Sequence, residues 1–359
     1  MNLPKALFHF DIFWKDQLFP ASERASLRNH LDIPDVVCGR GELTRLPAER
    51  LAEIEVLVAG WDATKLSHDV LDRMPRLRAV FYAAGDTRGL VAEGGCFERG
   101  ITLVSANREL ARSVAEHTLG FVLLSLKNVL RQSAAAKRDK TLLRRPGPGI
   151  HGSSVVGLVG YGEIARSLRG LLRPFSVRVL VYDPYLAPAE AASEGVEQVA
   201  LETLFSSADV VSCHLPLTEE TKEMLRGPHF RLMRTGATFI NTARGGVVQE
   251  DEMLEVLAER EDLWAVLDVL KEEPPPATHP GFFLPNVTLT PHIAGCLGPE
   301  LIRLGHFIVE EVARWRTGKT LLGEVRSLGG RASTLSGMRT VRATLPLPEV
   351  FSESQVLAK

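Results

Sequence analysis

Residues 155–183 read VVGLVGYGEIARSLRGLLRPFSVRVLVYD, and the order of residue types in this stretch decides the architecture. An apolar run, Val155–Val159, leads into Gly160, Tyr161 and Gly162. A helix-like segment opens with Glu163, Ile164 and Ala165, and a second apolar run closes on Tyr182 and Asp183. Strand, glycine turn, helix, strand and acid is the succession of a dinucleotide-binding βαβ unit. Gly160 permits the tight turn. Gly162 lets the backbone approach a pyrophosphate, whose charge suits the free N–H groups and positive end of a helix. Ala165 stands where a third glycine is usual and is small enough for close helix–strand packing. Asp183 follows Gly162 by about twenty residues, the place where a carboxylate meets the ribose hydroxyls. An acid there, followed by Pro184 and Tyr185 rather than an arginine, repels a 2′-phosphate, so the expected cofactor is NAD and not NADP.

Toward the N-terminus, short apolar runs at 6–10, 54–59 and 78–82 alternate with helical patterns such as 66–74, which predicts a small parallel α/β domain. The loop after Tyr82, Ala83-Ala84-Gly85-Asp86-Thr87-Arg88-Gly89, sits at a strand's C-terminal end, where open α/β sheets bind ligands. Gly85 allows an anion to approach the backbone. Residues 114–130 predict a long buried helix crossing from this domain into the next, with Glu116 and His117 satisfying its start rather than forming an acid/base pair. Residues 134–150, basic and then rich in Pro and Gly, predict a loop. Beyond Asp183, strands are predicted at 209–214, 237–242, 263–269 and 287–291, each ending in polar or ionisable residues that face the cofactor crevice. A helix at 301–315 predicts a return crossing onto the first domain. The expected division is a discontinuous substrate domain, 1–113 with 297–326, of flavodoxin-like α/β type, and a Rossmann-type doubly wound parallel sheet at 114–296. Residues 327–359, rich in Ser, Thr, Gly, Pro and Arg, predict a flexible tail or an arm over a partner subunit.

The composition suits a globular protein: 359 residues, 45% hydrophobic, 42 basic against 44 acidic side chains and a net charge of −2. No basic run points to nucleic acid or an anionic membrane. Cys38, Cys96, Cys213 and Cys296 are scattered without metal-ligand spacing, as reduced thiols are, and no metal is expected. The first twenty residues alternate apolar and charged side chains and lack a signal-peptide core, so a soluble cytoplasmic protein is expected.

Three residues stand where chemistry needs them. Arg244 follows a strand and precedes two glycines, and its planar fork can take a carboxylate bidentately. His292, in LTPHIAG, offers an imidazole for proton exchange near neutral pH. Glu273, in KEEPPP, would compensate an imidazolium. Taken singly each has an ordinary structural reading. Together they supply what reduction of a 2-oxo acid requires beyond the hydride: a cation for the carboxylate and a proton donor for the forming hydroxyl.

The blocks VGLVGYGEIAR, SSADVVSCHLPLTEET, FINTARGGVV, LDVLKEEP and LPNVTLTPHIAG, in this order, resemble the D-isomer-specific 2-hydroxyacid dehydrogenases over residues 78–325. The resemblance implies a catalytic set at Arg244, Glu273 and His292, with main-chain N–H groups of Ala84 and Gly85 helping Arg244 hold the substrate carboxylate. It implies NAD contacts at Gly160, Tyr161, Gly162, Glu163, Ile164, Asp183, Leu215, Pro216, Thr242, Ala243 and Asp268. It also implies a homodimer formed through the cofactor domain. AAGDTRGL departs from the usual Asp-Asn after the glycine, and Pro275-Pro276 replace a single apolar residue. The expected activity is an NAD-dependent oxidoreductase for a small 2-oxo or D-2-hydroxy acid, glyoxylate or hydroxypyruvate being the plainest substrates. Arg88, Arg108 and Arg112 would suit a phosphorylated or dicarboxylic acid, which leaves a phosphoglycerate dehydrogenase-like activity without a regulatory domain as an alternative. A formate dehydrogenase would carry glutamine in place of Glu273. An NAD(H)-sensing corepressor-like binding protein on the same fold would keep all three residues.

Overall fold

The computed structural model describes residues 2–142 and 147–326; the predicted tail at 327–359 lies outside the described residues. β1 (Ala6–His9), β2 (Val37–Cys38), β3 (Val56–Ala59), β4 (Ala79–Tyr82) and β5 (Thr102–Ser105) form one sheet, ordered β2-β1-β3-β4-β5. All its pairings are parallel. This is the flavodoxin-like order expected of the smaller domain. β6 (Val155–Val159), β7 (Arg178–Tyr182), β8 (Glu197–Gln198), β9 (Val210–Cys213), β10 (Thr238–Asn241), β11 (Trp264–Leu267) and β12 (Val287–Leu289) form the other, ordered β12-β11-β10-β9-β6-β7-β8. It too is parallel, and its order reverses between β6 and β9, which makes it doubly wound in the Rossmann manner.

The apolar runs are continuous because helices cover both faces of each sheet. β3, β6, β9, β10 and β11 are buried at every residue. At about 1.5–3 kcal/mol for each large side chain taken out of water, these strands are the main source of cohesion. The sequence pattern does not predict β5. Its ITLVS sequence is short and ends in polar residues, yet it pairs with β4 over Thr102–Ser105 and carries a residue that matters at the site.

Helix α1 (Asn107–Leu126) starts beside the first sheet, with Leu110 against that core, and ends in the second, where Ala115, Val122 and Leu126 pack with Val156 and Leu158. The crossing is as predicted, but its limits are not. The helix begins at Asn107, in a turn too polar to show periodicity, and stops before Asn128, which takes a left-handed conformation with φ 56°. α2 (Val129–Asp139) follows, so the predicted loop is helical through Asp139. Its QSAAAK stretch has the helix propensity for this, and the basic residues that suggested a loop sit in its last turn.

After α3 (Glu163–Leu172) and the rest of the second sheet, α4 (Leu301–Arg316) returns to the first core. Leu301, Leu304, Phe307, Ile308 and Val312 pack there among Phe8, Phe10, Val58 and Phe81. The two crossings are tied side by side: Ser113 Oγ lies 3.2 Å from Cys296 Sγ, and Arg303 donates to Glu116 at 2.8 Å. Glu116 therefore stands in the middle of α1, bridging Arg303 and Arg112, and does not satisfy a helix start. His117 packs on the Phe121 ring one turn later. Past α4, the buried Glu311 carboxylate accepts from the N–H groups of Leu322 and Gly323, at 2.8 and 2.9 Å. That segment runs antiparallel along β5, with Ser105 N donating to Gly323 O and Val325 N to Leu103 O.

Candidate active site

Gly160 turns at φ +90°, and a Cβ there would lie 3.1 Å from the His214 carbonyl group and from Leu215, so only glycine brings the two strand ends this close. Gly162 precedes α3 and has open space where a Cβ would sit. No side chain caps α3, so its first N–H groups, from Glu163 and Ile164, have no capping partner, and a helix start of this kind suits an anion. Tyr161 behaves differently: its ring is buried beneath the Arg166 guanidinium, 4.7 Å from the ring centre, and its N–H donates to Asp183 Oδ2 at 2.7 Å. Asp183 also accepts from Tyr185 N at 2.8 Å, so backbone donors orient the carboxylate at the tip of β7. Leu215 is buried and Pro216 exposed at the end of β9. Thr242, past β10, meets Thr118 of α1 at 3.2 Å, and Ala243 N donates to Asn241 Oδ1.

Arg244 is positioned by close backbone contact. A Cβ on Gly245 would lie 2.0 Å from the carbonyl carbon of Leu270, so glycine alone lets the Arg244 turn rest on the segment leading to Glu273. Arg244 Nη1 donates to its neighbour's carbonyl, Ala243 O, at 2.6 Å, and Asn241 Nδ2 donates to Arg244 O. Burial lowers the affinity of the guanidinium for its proton, while the nearby Asp86 and Glu273 carboxylates act against that shift.

Glu273 Oε1 accepts from Leu270 N at 3.0 Å, and Oε2 stands 2.7 Å from His292 Nδ1. Burial works to raise the Glu273 carboxyl, but His292, Leu270 N and Arg244 together hold it below the usual carboxylate range. His292 adopts φ 54° and donates its N–H to the carbonyls of Asp268 and Thr290. Asp268, only 2% exposed, shapes that turn: its carboxylate accepts from Thr290 Oγ1 and from the N–H groups of Ile293 and Ala294, at 2.7–2.9 Å. Its side chain is directed into the His292 turn, a bond set that the resemblance alone did not reveal.

From the other sheet, the loop after β4 supplies Ala84 and Gly85. Ser105 Oγ donates to both of their carbonyls, 3.0 Å to Ala84 O, and fixes the loop backbone; among the described residues no partner is seen for their N–H groups. Ser105 went unnoticed in the sequence because it ends an unpredicted strand. Asp86 faces Arg244 and is gripped by Arg88 through Nε, at 2.8 and 2.9 Å to its two oxygens, and by Arg88 N. Burial opposes ionisation of Asp86, but Arg88 and Arg244 hold its carboxyl below the usual range. Arg112 is paired with Glu116, and Arg108 is exposed on the first turn of α1. Arg244, Glu273 and His292, far apart in sequence, are thus brought together, and Asp86 of the loop after β4 faces Arg244.

A Rossmann-type parallel sheet joined to a flavodoxin-like one, with this polar set at the strand ends, defines a two-domain dinucleotide-binding α/β protein. Residues 119–294 match the NAD binding domain of D-isomer specific 2-hydroxyacid dehydrogenases. The chain is 32% identical to an (S)-sulfolactate dehydrogenase of Chromohalobacter salexigens, over 70% of this chain and 81% of that protein. It is 30% identical to a D-3-phosphoglycerate dehydrogenase of Methanocaldococcus jannaschii, over 76% of this chain but 51% of that one. It thus spans about half the length of several curated relatives it matches. A crystal structure of a phosphoglycerate oxidoreductase from Rhizobium etli superposes with a TM-score of 0.76 at 26% identity, covering 90% of this chain and 97% of that one. The chain belongs to the D-isomer-specific 2-hydroxyacid dehydrogenase family.

Proposed function

We propose that this protein is an NAD-dependent oxidoreductase interconverting a 2-oxo acid and a D-2-hydroxy acid. The site lies between a substrate domain, 1–113 with 297–326, and a cofactor domain, 114–296. The observation that carries the reading is the 2.7 Å contact of His292 Nδ1 with Glu273 Oε2 beside the Arg244 guanidinium. A carboxylate on Nδ1 fixes the ring and leaves Nε2 as the nitrogen that exchanges a proton with substrate. Arg244 takes the substrate carboxylate through its fork, with the Ala84 and Gly85 N–H groups as further donors. His292 Nε2 gives its proton to the C2 oxygen during reduction and recovers it during oxidation. Glu273 orients the imidazole and faces its charge when it is protonated.

The residues suit NAD(H). Gly162, Glu163 and Ile164 would offer backbone to the pyrophosphate, the Gly160–Tyr161 turn would shape that approach, and Asp183 would receive the ribose hydroxyls. Leu215, Pro216, Thr242 and Ala243 line the remaining strand ends, and Asp268 sets the His292 turn at the reacting end. When bound, the cofactor supplies the hydride to C2 of the oxo acid. Because Asp86 already engages Arg88, the loop favours an oxo acid with a small uncharged tail, such as glyoxylate or hydroxypyruvate. Exposed Val129 and Leu142, which line one surface groove along α2, support a homodimer through the cofactor domain. Four free thiols support a cytoplasmic location.

The test is NADH consumption with glyoxylate, hydroxypyruvate, phosphohydroxypyruvate, pyruvate and phenylpyruvate, comparing wild type with His292→Ala. The expected result is turnover of at least one small oxo acid and a fall of about 10²- to 10⁴-fold in the variant. Wild-type turnover by His292→Ala would remove the imidazole from the mechanism.

A further inference from the structure

Glu273 belongs to an exposed stretch, residues 271–278, of which only Pro275 is partly buried. Such a stretch has little apolar contact to hold a side chain to the tolerance that an acid/base pair demands. Its anchors lie at its two ends and lead to one group. Glu250, the first residue of the helix Glu250–Glu259 and 8% exposed, accepts from Lys271 N through Oε2 at 2.9 Å. Its other oxygen, Oε1, stands 3.1 Å from His279 Nε2. His279 is equally buried, at 8% exposure, and its Nδ1 accepts from Gly281 N at 3.1 Å. Since Nδ1 is an acceptor there, the proton is on Nε2, and the neutral ring donates it to Glu250. One buried carboxylate therefore closes the Glu273 segment at both ends, next to the place where Gly245 packs on Leu270 and Lys271.

We infer that Glu250 and His279 are positioning residues for the reaction: a second, buried histidine–carboxylate pair whose task is to hold Glu273 against His292. The inference rests on the reading of Glu273 and His292 as the acid/base pair. Glu250 touches neither of them. It acts through the backbone at Lys271 and through the ring at His279. Glutamine at 250 has a single acceptor oxygen for two donors, so one of the two anchors is lost. Glutamine at 279 can still reach Glu250 with its amide, whereas asparagine, a methylene shorter, mimics only the Nδ1 side.

The experiment compares full-length Glu250→Gln, Glu273→Gln and the double variant, together with His279→Gln and His279→Asn. Kinetics use whichever oxo acid of the panel is reduced fastest, with an NADH titration by fluorescence and hydrogen exchange of the 271–281 amides. Glu250→Gln should lower kcat by about 10- to 100-fold while KM and the NADH Kd change less than about twofold. The double variant should be no slower than Glu273→Gln alone, because both changes remove the same alignment. The Lys271 and Gly281 amides should exchange at least about tenfold faster than in wild type. His279→Gln should retain more activity than His279→Asn, a comparison that decides the matter even if Glu250→Gln fails to fold. Additive losses in the double variant, unchanged exchange, or equal activity of the two His279 variants would overturn the inference. Wild-type activity in Glu273→Gln would instead refute the acid/base reading beneath it, and is read separately.

Discussion

His214 provides a quantitative test of the folded state. It follows β9 beside the glycine turn, is buried, and neither ring nitrogen has a hydrogen-bond partner among the described residues. Burial alone pushes its pKa down from 6.5 to about 4. An unfolded chain therefore binds a proton at this residue across a range of pH in which the folded chain does not. The contribution of the neutral ring is fully present above the unfolded value and is lost as the pH falls from 6.5 toward about 4. Across that whole window the loss is about 3 kcal/mol, and between about pH 7 and pH 5 it is about 2 kcal/mol. The perturbation is His214→Phe, which keeps a flat ring and removes the titration. Urea unfolding followed by circular dichroism at the two pH values gives the change in stability of each protein, and the difference between those changes isolates the ring. Wild type should lose about 2 kcal/mol more than the variant on acidification. Parallel loss in both proteins, or a ring that titrates near 6.5 by NMR, would refute the argument.

Two further outcomes follow from the site. Gly245→Ala places a methyl group against the Leu270 carbonyl, a backbone contact that cannot rotate away; stability should fall by about 1–3 kcal/mol and KM for the oxo acid rise about tenfold, and an unchanged melting temperature and KM would contradict the packing account. Asp183→Asn keeps the shape of the side chain that meets Tyr161 N and Tyr185 N but removes its charge, so the preference for NADH over NADPH should narrow by about tenfold in fluorescence titrations; an unaltered ratio would detach Asp183 from the choice.

The second sheet was legible because its strands are buried on both faces and therefore spelled as runs of Val, Leu and Ile, with glycine and an acid marking the first βαβ unit. That Arg244, Glu273 and His292 would converge was legible because each follows a strand of one parallel sheet, and such sheets place all their C-terminal ends on one side. What escaped reading depends on contacts distant in sequence. β5 is short and polar at its end, and becomes a strand by pairing with β4. The first turn of α1, Asn107-Arg108-Glu109, is polar, so the apolar pattern that marks a helix begins only at Leu110 and Ala111. Glu116 lies mid-helix because the polar turn 107–109, which shows no apolar pattern, is already helical. Glu250 and His279 are separated by a helix, a strand and two loops, and nothing in their local sequence announces that one grips the other. The Arg88–Asp86 pair is local, but whether an arginine in a loop turns toward its neighbour or toward a ligand is settled by the space around it.

The return of α4 to the first sheet has a consequence for synthesis. The face of that sheet formed by Phe8, Val58 and Phe81 is covered by Leu304, Phe307, Ile308 and Val312, which leave the ribosome only after the whole second sheet. The segment that runs along β5 is later still. During translation the N-terminal strands must wait, partly bare, while the cofactor-binding part folds first from a continuous stretch of chain. The part of the protein made first is completed last, so the opening hundred residues depend on the last described ones for their burial.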